Sequence, residues 1–164
     1  MTKPGRIDRI DLKILAALQS DARITNQALA DRVGLSPSPC LQRVKRLEQS
    51  GVLAGYLGRI ALGDIAHAVS VIATVSLESH AKEQFDRFEQ VAAGIPDLVE
   101  CHKVSGPFDY FLRFVCEDVP TYERISDELL RDGPKGMKVS SHVVLQETKP
   151  FTGYPLDRLI KTDG

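Results

Sequence analysis

The sequence predicts an α+β fold in two parts: three short helices, then a β-α-β-β-α-β unit of split βαβ, or ferredoxin-like, topology. Three observations carry that expectation. Apolar residues recur at helical spacing up to about residue 50. Glycines at 51, 55, 58 and 63 then rule out a long helix. From Ala68 onward, runs of period two alternate with runs of helical period. A chain of 164 residues has room for two small domains with cores of their own. The expected boundaries are 1–51 for the helical part, 52–66 for a linker, 67–148 for the sheet domain and 149–164 for a tail.

Taken in order, Asp8 and Asp11 form a capping-box-like pair at the start of the first helix. Ile7, Ile10, Ile14, Ala17 and Leu18 follow the helical period around and after it. Asp21-Ala22-Arg23 breaks the pattern. Thr25 caps a second helix running from about Asn26 to Val33, and Ile24 can staple to Leu29. Gly34 ends that helix by taking the left-handed conformation. Leu35 turns inward and Ser36 caps the third helix. Pro37 falls at the first helical position and Pro39 in the opening turn, where N–H groups have no intrahelical partner.

At 100° per residue, Cys40, Leu41, Val44 and Leu47 gather on one side of the third helix. Ser38, Gln42, Lys45, Arg46 and Gln49 face the other way, with Arg43 at the margin. That outer face is basic, rich in amides and free of acids. Phosphate oxygens attract cations, and base edges pair with forked or amide groups, so the face has the chemistry to read duplex DNA. An ordinary solvated helix face would look similar. The short second helix and tight glycine turn favour a helix-turn-helix, which places its second helix in the major groove. Charge agrees. The formal net charge is −1, yet residues 1–60 hold ten Lys and Arg against five Asp and Glu, and the remainder eleven against seventeen. A basic head on an acidic body suits a polyanion partner.

Ser50-Gly51 closes the third helix, and a short linker strand is expected near Leu57–Leu62. Ala68 to Leu77 alternates as a half-buried strand, with Val69, Val71, Ala73, Val75 and Leu77 on one face. Phe85, Phe88, Ala92 and Ile95 mark a helix that ends near Gly94 and Pro96. Val99–Val104 and Tyr110–Cys116 read as strands joined by Ser105-Gly106-Pro107-Phe108-Asp109. Asp118 caps a helix carrying Tyr122, Ile125 and Leu129. Gly133-Pro134-Lys135-Gly136 turns the chain into a last strand, Val139–Glu147, with Val139, Val143 and Leu145 inward. Right-handed crossovers put both helices on one side of the sheet. Ser70, Ile72, Thr74, Glu100, His102, Val104, His142 and Val144 are then expected on the bare face. That mixture is too apolar for water and too polar for a core, so a second subunit is its natural cover.

The run Arg23-Ile24-Thr25-Asn26, Leu29-Ala30, Arg32 to Cys40, Arg43-Val44, Arg46-Leu47-Glu48 and Gly51 resembles the DNA-binding head of the Lrp/AsnC family. These are the leucine-responsive, or feast/famine, transcription regulators. The resemblance implies a winged-type helix-turn-helix with Asn26, Ser36, Ser38, Pro39, Gln42, Arg43, Lys45 and Arg46 at the DNA. Glu100-Cys101-His102, Val104-Ser105-Gly106 and Phe108-Asp109-Tyr110 resemble the family's effector-binding domain. There the loop between the middle strands lies at a subunit interface and holds an amino acid. Carried over, the effector-binding residues are Val104, Ser105, Gly106, Phe108, Asp109 and Tyr110. Loop N–H groups suit an α-carboxylate and Asp109 an α-ammonium group, although Gly-Pro and Asp also make a plain hairpin turn. Two departures stand out. Pro107 removes one loop N–H, and Lys135-Gly136-Met137 replaces the usual Pro-Gly-Val turn. The resemblance implies paired linker strands, a dimer that can build to an octamer, double-stranded DNA and a small effector as partners, and no cofactor.

Two other functions compete with this one. Cys101, His102, Cys116 and His142 could serve an enzyme, but adjacent strand residues point to opposite faces and no CxxC or HxxxH spacing occurs. Cys101 and Cys116 read instead as small core residues. An architectural DNA-packing protein without an effector would share the same head and assembly. Three widely spaced cysteines, a polar N-terminus and no apolar run near 20 residues point to a cytoplasmic chain without a membrane span. The tail Lys149 to Tyr154-Pro155 is expected to be non-helical and to lie along the sheet or a neighbour.

Overall fold

The computed structural model describes residues 7–160, which divide into two compact units. One unit takes the chain up to Arg59 together with the segment from Lys149; the other is Ile60–Thr148.

In the first unit, α1 (Arg9–Ser20), α2 (Asn26–Val33) and α3 (Pro37–Gln49) enclose a core of Ile14, Ala17, Leu18, Leu29, Ala30, Val33, Cys40, Val44 and Leu47. The capping box is present at α1: the Asp8 carboxylate accepts from the Asp11 N–H, and the Asp11 carboxylate accepts from the Asp8 N–H. Thr25 Oγ1 accepts from the Ala28 N–H to start α2. Gly34 closes α2 with φ +76°, a conformation that L side chains enter at about 1–2 kcal/mol. Ser36 stands at the N-cap of α3 as expected, but its hydroxyl makes no capping bond. One of its two usual donors is missing. An N-cap oxygen is served by the N2 or N3 N–H, and Pro39 at N3 has none.

The second unit opens with one helical turn, α4 (Leu62–Ile65), where the sequence led us to expect the end of a linker strand. Residues 55–61 form no strand. A strand needs a hydrogen-bonded neighbour, and this segment has none in the single chain. Then follow β1 (Val69–Ser76), α5 (Lys82–Ala93), β2 (Leu98–Lys103), β3 (Tyr110–Cys116), α6 (Val119–Asp132) and β4 (Lys138–Val143). The sheet order is β2-β3-β1-β4 with every pairing antiparallel. That is the ferredoxin-like arrangement. Val71, Ala73, Val75, Tyr110, Leu112, Phe114 and Cys116 form the covered face, packed on Phe88, Ala92, Tyr122, Ile125 and Leu129 of the two helices.

The other face carries no element of this unit. Ile72 pairs with both Arg113 and His142, Thr74 with Phe111 and Ser140, and Ser70 with Val115, so these residues share that side. Phe111, Arg113 and Val115 belong to the bare face as well, a contribution of β3 that the sequence reading had not included.

Other differences cluster at the sheet's edges. The last strand stops at Val143, four residues early; Val143, on the inward face beside Val71 but uncovered, is 48% exposed and Leu145 96%. Beyond Val143 only the Val144 N–H still bonds across, to the Ser70 carbonyl. Neither helix reaches over that end. Cys101, also expected in the core, is exposed on edge strand β2, whereas Cys116 on β3 is buried. The tail does not run along the sheet. It packs on α1 of the first unit and ends in one helical turn, α7 (Leu156–Leu159).

Candidate functional site

The outer face of α3 is built by what lies beneath it. Cys40, Val44 and Leu47 anchor one side in the core. Ser38, Pro39, Gln42, Lys45 and Arg46 are then exposed along the other, with Ser36 and Pro37 at its start. No acid lies among Ser38, Gln42, Lys45, Arg46 and Gln49, as the spacing predicted.

Arg43 and Arg46 have a second attachment. Asp11, completely buried, lies under both. Its Oδ1 accepts from Arg43 Nη1 at 2.8 Å and its Oδ2 from Arg46 Nη2 at 2.5 Å. Arg43 Nη1 also donates to Asp8 Oδ2 at 2.6 Å. Charge-assisted bonds of this kind are among the strongest available to side chains. Arg43 is thereby turned toward α1, with 27% of its side chain exposed. Arg46 is 52% exposed and reaches Asp11 through one nitrogen, leaving the rest of its donor fork for an outside acceptor. Burial alone would raise the Asp8 carboxyl, but the Asp11 N–H and the Arg43 guanidinium outweigh it and hold Asp8 below its ordinary 3.8. The acid pair that reads as a helix cap in the sequence is thus also the seat of two α3 arginines. No sequence spacing reveals that, because the partners lie more than thirty residues apart.

Asn26 is drawn inward too. Its Nδ2 donates to the Pro37 carbonyl at 2.9 Å, which ties the start of α2 to the start of α3. It braces the turn and does not stand on the exposed face.

In the second unit, the loop between β2 and β3 closes through the Val104 N–H to the Asp109 carbonyl at 2.8 Å. Gly106 sits at φ +127° with open space where a Cβ would be. Ser105, Gly106 and Pro107 are exposed and Phe108 is half-buried. The N–H groups of Ser105, Gly106 and Phe108 donate to no acceptor among the described residues. Asp109 is already engaged. Its Oδ2 accepts from the Leu77 N–H at 2.8 Å, and its Oδ1 lies 3.0 Å from His80 Nε2. It pins the loop to the end of β1 and to His80, a partner the sequence reading had missed.

Tyr110 differs from the rest of the loop set. It is 1% exposed, its ring centroid is 4.2 Å from that of Phe88, and its hydroxyl donates to Glu89 Oε1 at 2.7 Å. Burial first, and Glu89 second, push its phenol far above the usual range. Tyr110 is a core residue of the inward register of β3.

Replacing Asp11 by Ala removes the buried acceptor that Arg43 and Arg46 share, along with the acceptor of the Asp8 N–H. Urea unfolding should show the variant less stable by about 2–4 kcal/mol. Acid should act on the same cluster. With its folded value depressed, Asp8 contributes fully above its ordinary 3.8 and loses that contribution as pH falls through the folded value. Thermal midpoints read against pH should therefore drop below about pH 4, and Asp8→Asn should remove part of that slope.

Known proteins share both units. A family model described as winged helix-turn-helix DNA-binding matches residues 7–54, and one described as Lrp/AsnC ligand binding domain matches residues 70–154. The leucine-responsive regulatory proteins of Escherichia coli K12 and Klebsiella pneumoniae are each 38% identical over 148 residues, covering 90% of this chain and 90% of theirs. Among solved structures, an AsnC family transcriptional regulator from Agrobacterium tumefaciens aligns with a TM-score of 0.84 and 32% identity, over 93% of this chain and 99% of its own. A Neisseria meningitidis transcriptional regulator in complex with L-Met aligns with a TM-score of 0.84 and 32% identity, over 94% and 100%.

Proposed function

Since the chain belongs to the Lrp/AsnC family of DNA-binding transcription regulators, we propose that it binds specific operator sites as a dimer or larger assembly, and that an amino acid modulates this binding. The observation that carries the reading is the outer face of α3. Ser38, Gln42, Lys45 and Arg46 stand exposed on it, with no acid among them. Lys45 and the free part of the Arg46 fork meet phosphate; Ser38 and Gln42 meet base edges. Ser36 and Pro39 border that contact at the helix start. Arg43 and Asn26 hold the reading helix in place.

The assembly rests on the bare sheet face. Ile72, Phe111 and Val115 stand there beside Arg113, Glu100, His102 and His142. A second copy covers this face, and the two heads then meet half-sites about one helical turn apart. The effector sits at the β2–β3 loop. The N–H groups of Ser105, Gly106 and Phe108 hold the α-carboxylate. Asp109 Oδ1 exchanges His80 for the α-ammonium group while Oδ2 keeps the Leu77 N–H. Val104 and Phe108 line the side-chain end. The protein works in the cytoplasm, and among the described residues no helix is long and apolar enough to cross a membrane.

Two measurements test this. In duplex titrations over a salt range, Lys45→Ala should weaken binding to all sequences and lower the slope of log K against log salt by about 1. An unchanged slope would remove Lys45 from the phosphate contacts, and wild-type affinity equal for all duplexes would favour the architectural reading. In a thermal-shift screen of the twenty amino acids, at least one should raise the midpoint with concentration. A flat screen would remove the amino-acid effector.

A further inference from the structure

Asp8 and Asp11 both hold Arg43, but in different surroundings. Asp11 is fully buried, and its two oxygens are taken by Arg43 and Arg46. Asp8 is 47% exposed. Its Oδ1 accepts from the Asp11 N–H, the bond that caps α1, while its Oδ2 accepts from Arg43 Nη1 at 2.6 Å. The cap needs an oxygen and no charge, since Asn and Ser cap about as well as Asp. The negative charge of Asp8 is left over for Arg43. Both carboxylate bonds of Arg43 run through Nη1; its Nη2 and Nε donate to no acceptor among the described residues. The side chain stays 27% exposed at the margin of the α3 face. Two carboxylates and two guanidinium groups cancel, so Arg43 and Arg46 add little to the long-range field of the helix.

We propose that Asp8 is a positioning residue for DNA binding: by holding and neutralising Arg43 it limits how many backbone phosphates the head neutralises, and so sets the strength of nonspecific binding. This rests on the reading above that α3 meets the duplex. Without the Asp8 carboxylate, the cluster carries one net positive charge. Arg43 then keeps its Asp11 bond and offers its unused nitrogens to a phosphate. Each phosphate newly neutralised steepens the fall of log K with log salt by about 0.9, and at 0.1 M salt it tightens binding to any duplex about fivefold to tenfold. A phosphate contact carries no sequence information, so the gain falls on matched and unmatched duplexes alike. Among the many competing sites of a genome, keeping Arg43 back weakens the hold of every unmatched one.

The test uses the full chain as wild type, Asp8→Asn, Asp8→Ser, and Asp8→Asn combined with Arg43→Gln. The two single variants keep a capping oxygen and lose the charge. The double variant returns the cluster to neutrality. The probes are a duplex that wild type enriches from a random pool and a scrambled duplex of the same composition, titrated from about 50 to 200 mM salt. Both single variants should steepen the slope by about 1 for each head bound and tighten both duplexes about fivefold or more. The ratio between the duplexes should stay within about twofold of wild type. The double variant should recover the wild-type slope. Damage to the fold lowers the fraction able to bind and leaves the slope alone, so an unchanged slope in both single variants would overturn the proposal. A steeper slope that persists in the double variant would overturn it too, because Arg43 would not be the route. A changed ratio would overturn it by showing Arg43 at the bases. If wild type enriches no duplex, the operator reading falls while the scrambled duplex still judges Asp8. If wild type binds no duplex at all, the α3 reading falls and the proposal with it.

Discussion

The head depends on one buried carboxylate. Asp11 satisfies the start of its own helix and holds two arginines from the helix two elements later. An ionised acid with no exposed surface persists only because every oxygen has a donor. Its effect on recognition is geometric. Arg43 is turned aside and Arg46 is held by one nitrogen, so the angle of the reading helix is set by α1 as well as by the glycine turn. A helix-turn-helix with an apolar pair in this place would pack as well. It would leave both guanidinium groups loose on the DNA side, with more entropy to lose on binding.

The sensor unit is organised by an opposite constraint, a surface left uncovered. Two right-handed crossovers commit both helices to one face of the sheet, and nothing in the unit remains to cover the other. Ile72, Phe111 and Val115 interspersed with Arg113, His102 and His142 are not a core, and they are a poor solvent face. The β2–β3 loop opens from an edge of the same sheet.

Much of this was legible in the residues. Thr25 and Gly34 bracket α2 at the bounds observed, because a cap and a left-handed glycine are local devices that need no tertiary context. The β1 alternation and the Tyr122, Ile125, Leu129 stripe held for the same reason. What failed depends on neighbours. A linker strand at residues 57–62 has no partner within one chain. Val143 and Leu145 continue an inward pattern past the point where a helix covers it, and Cys101 lies on an edge. Tyr110 matched the loop motif, yet its register on β3 aims it into the core. Ser36 shows how a correct position can lack the expected interaction: it stands at the N-cap, Pro39 removes one of the two N–H groups its hydroxyl could accept from, and no capping bond forms.

The two arginines also bear on how specificity arises in a chain whose net charge is −1. Attraction to any duplex scales with the phosphates neutralised, so cations on the reading face raise nonspecific and specific binding together. Asp8 and Asp11 cancel much of the Arg43 charge and part of the Arg46 charge. What remains outward is Lys45, one arginine fork and the neutral Ser38 and Gln42. Such a face holds DNA weakly when the bases do not match, and it gains mainly from hydrogen bonds that particular base edges offer. In the proposed dimer a second head would multiply that modest preference, provided both reach their half-sites at once. On the reading proposed above, a weakly charged face and a paired assembly are two halves of one solution: discrimination comes from requiring two imperfect contacts together, not from one strong one.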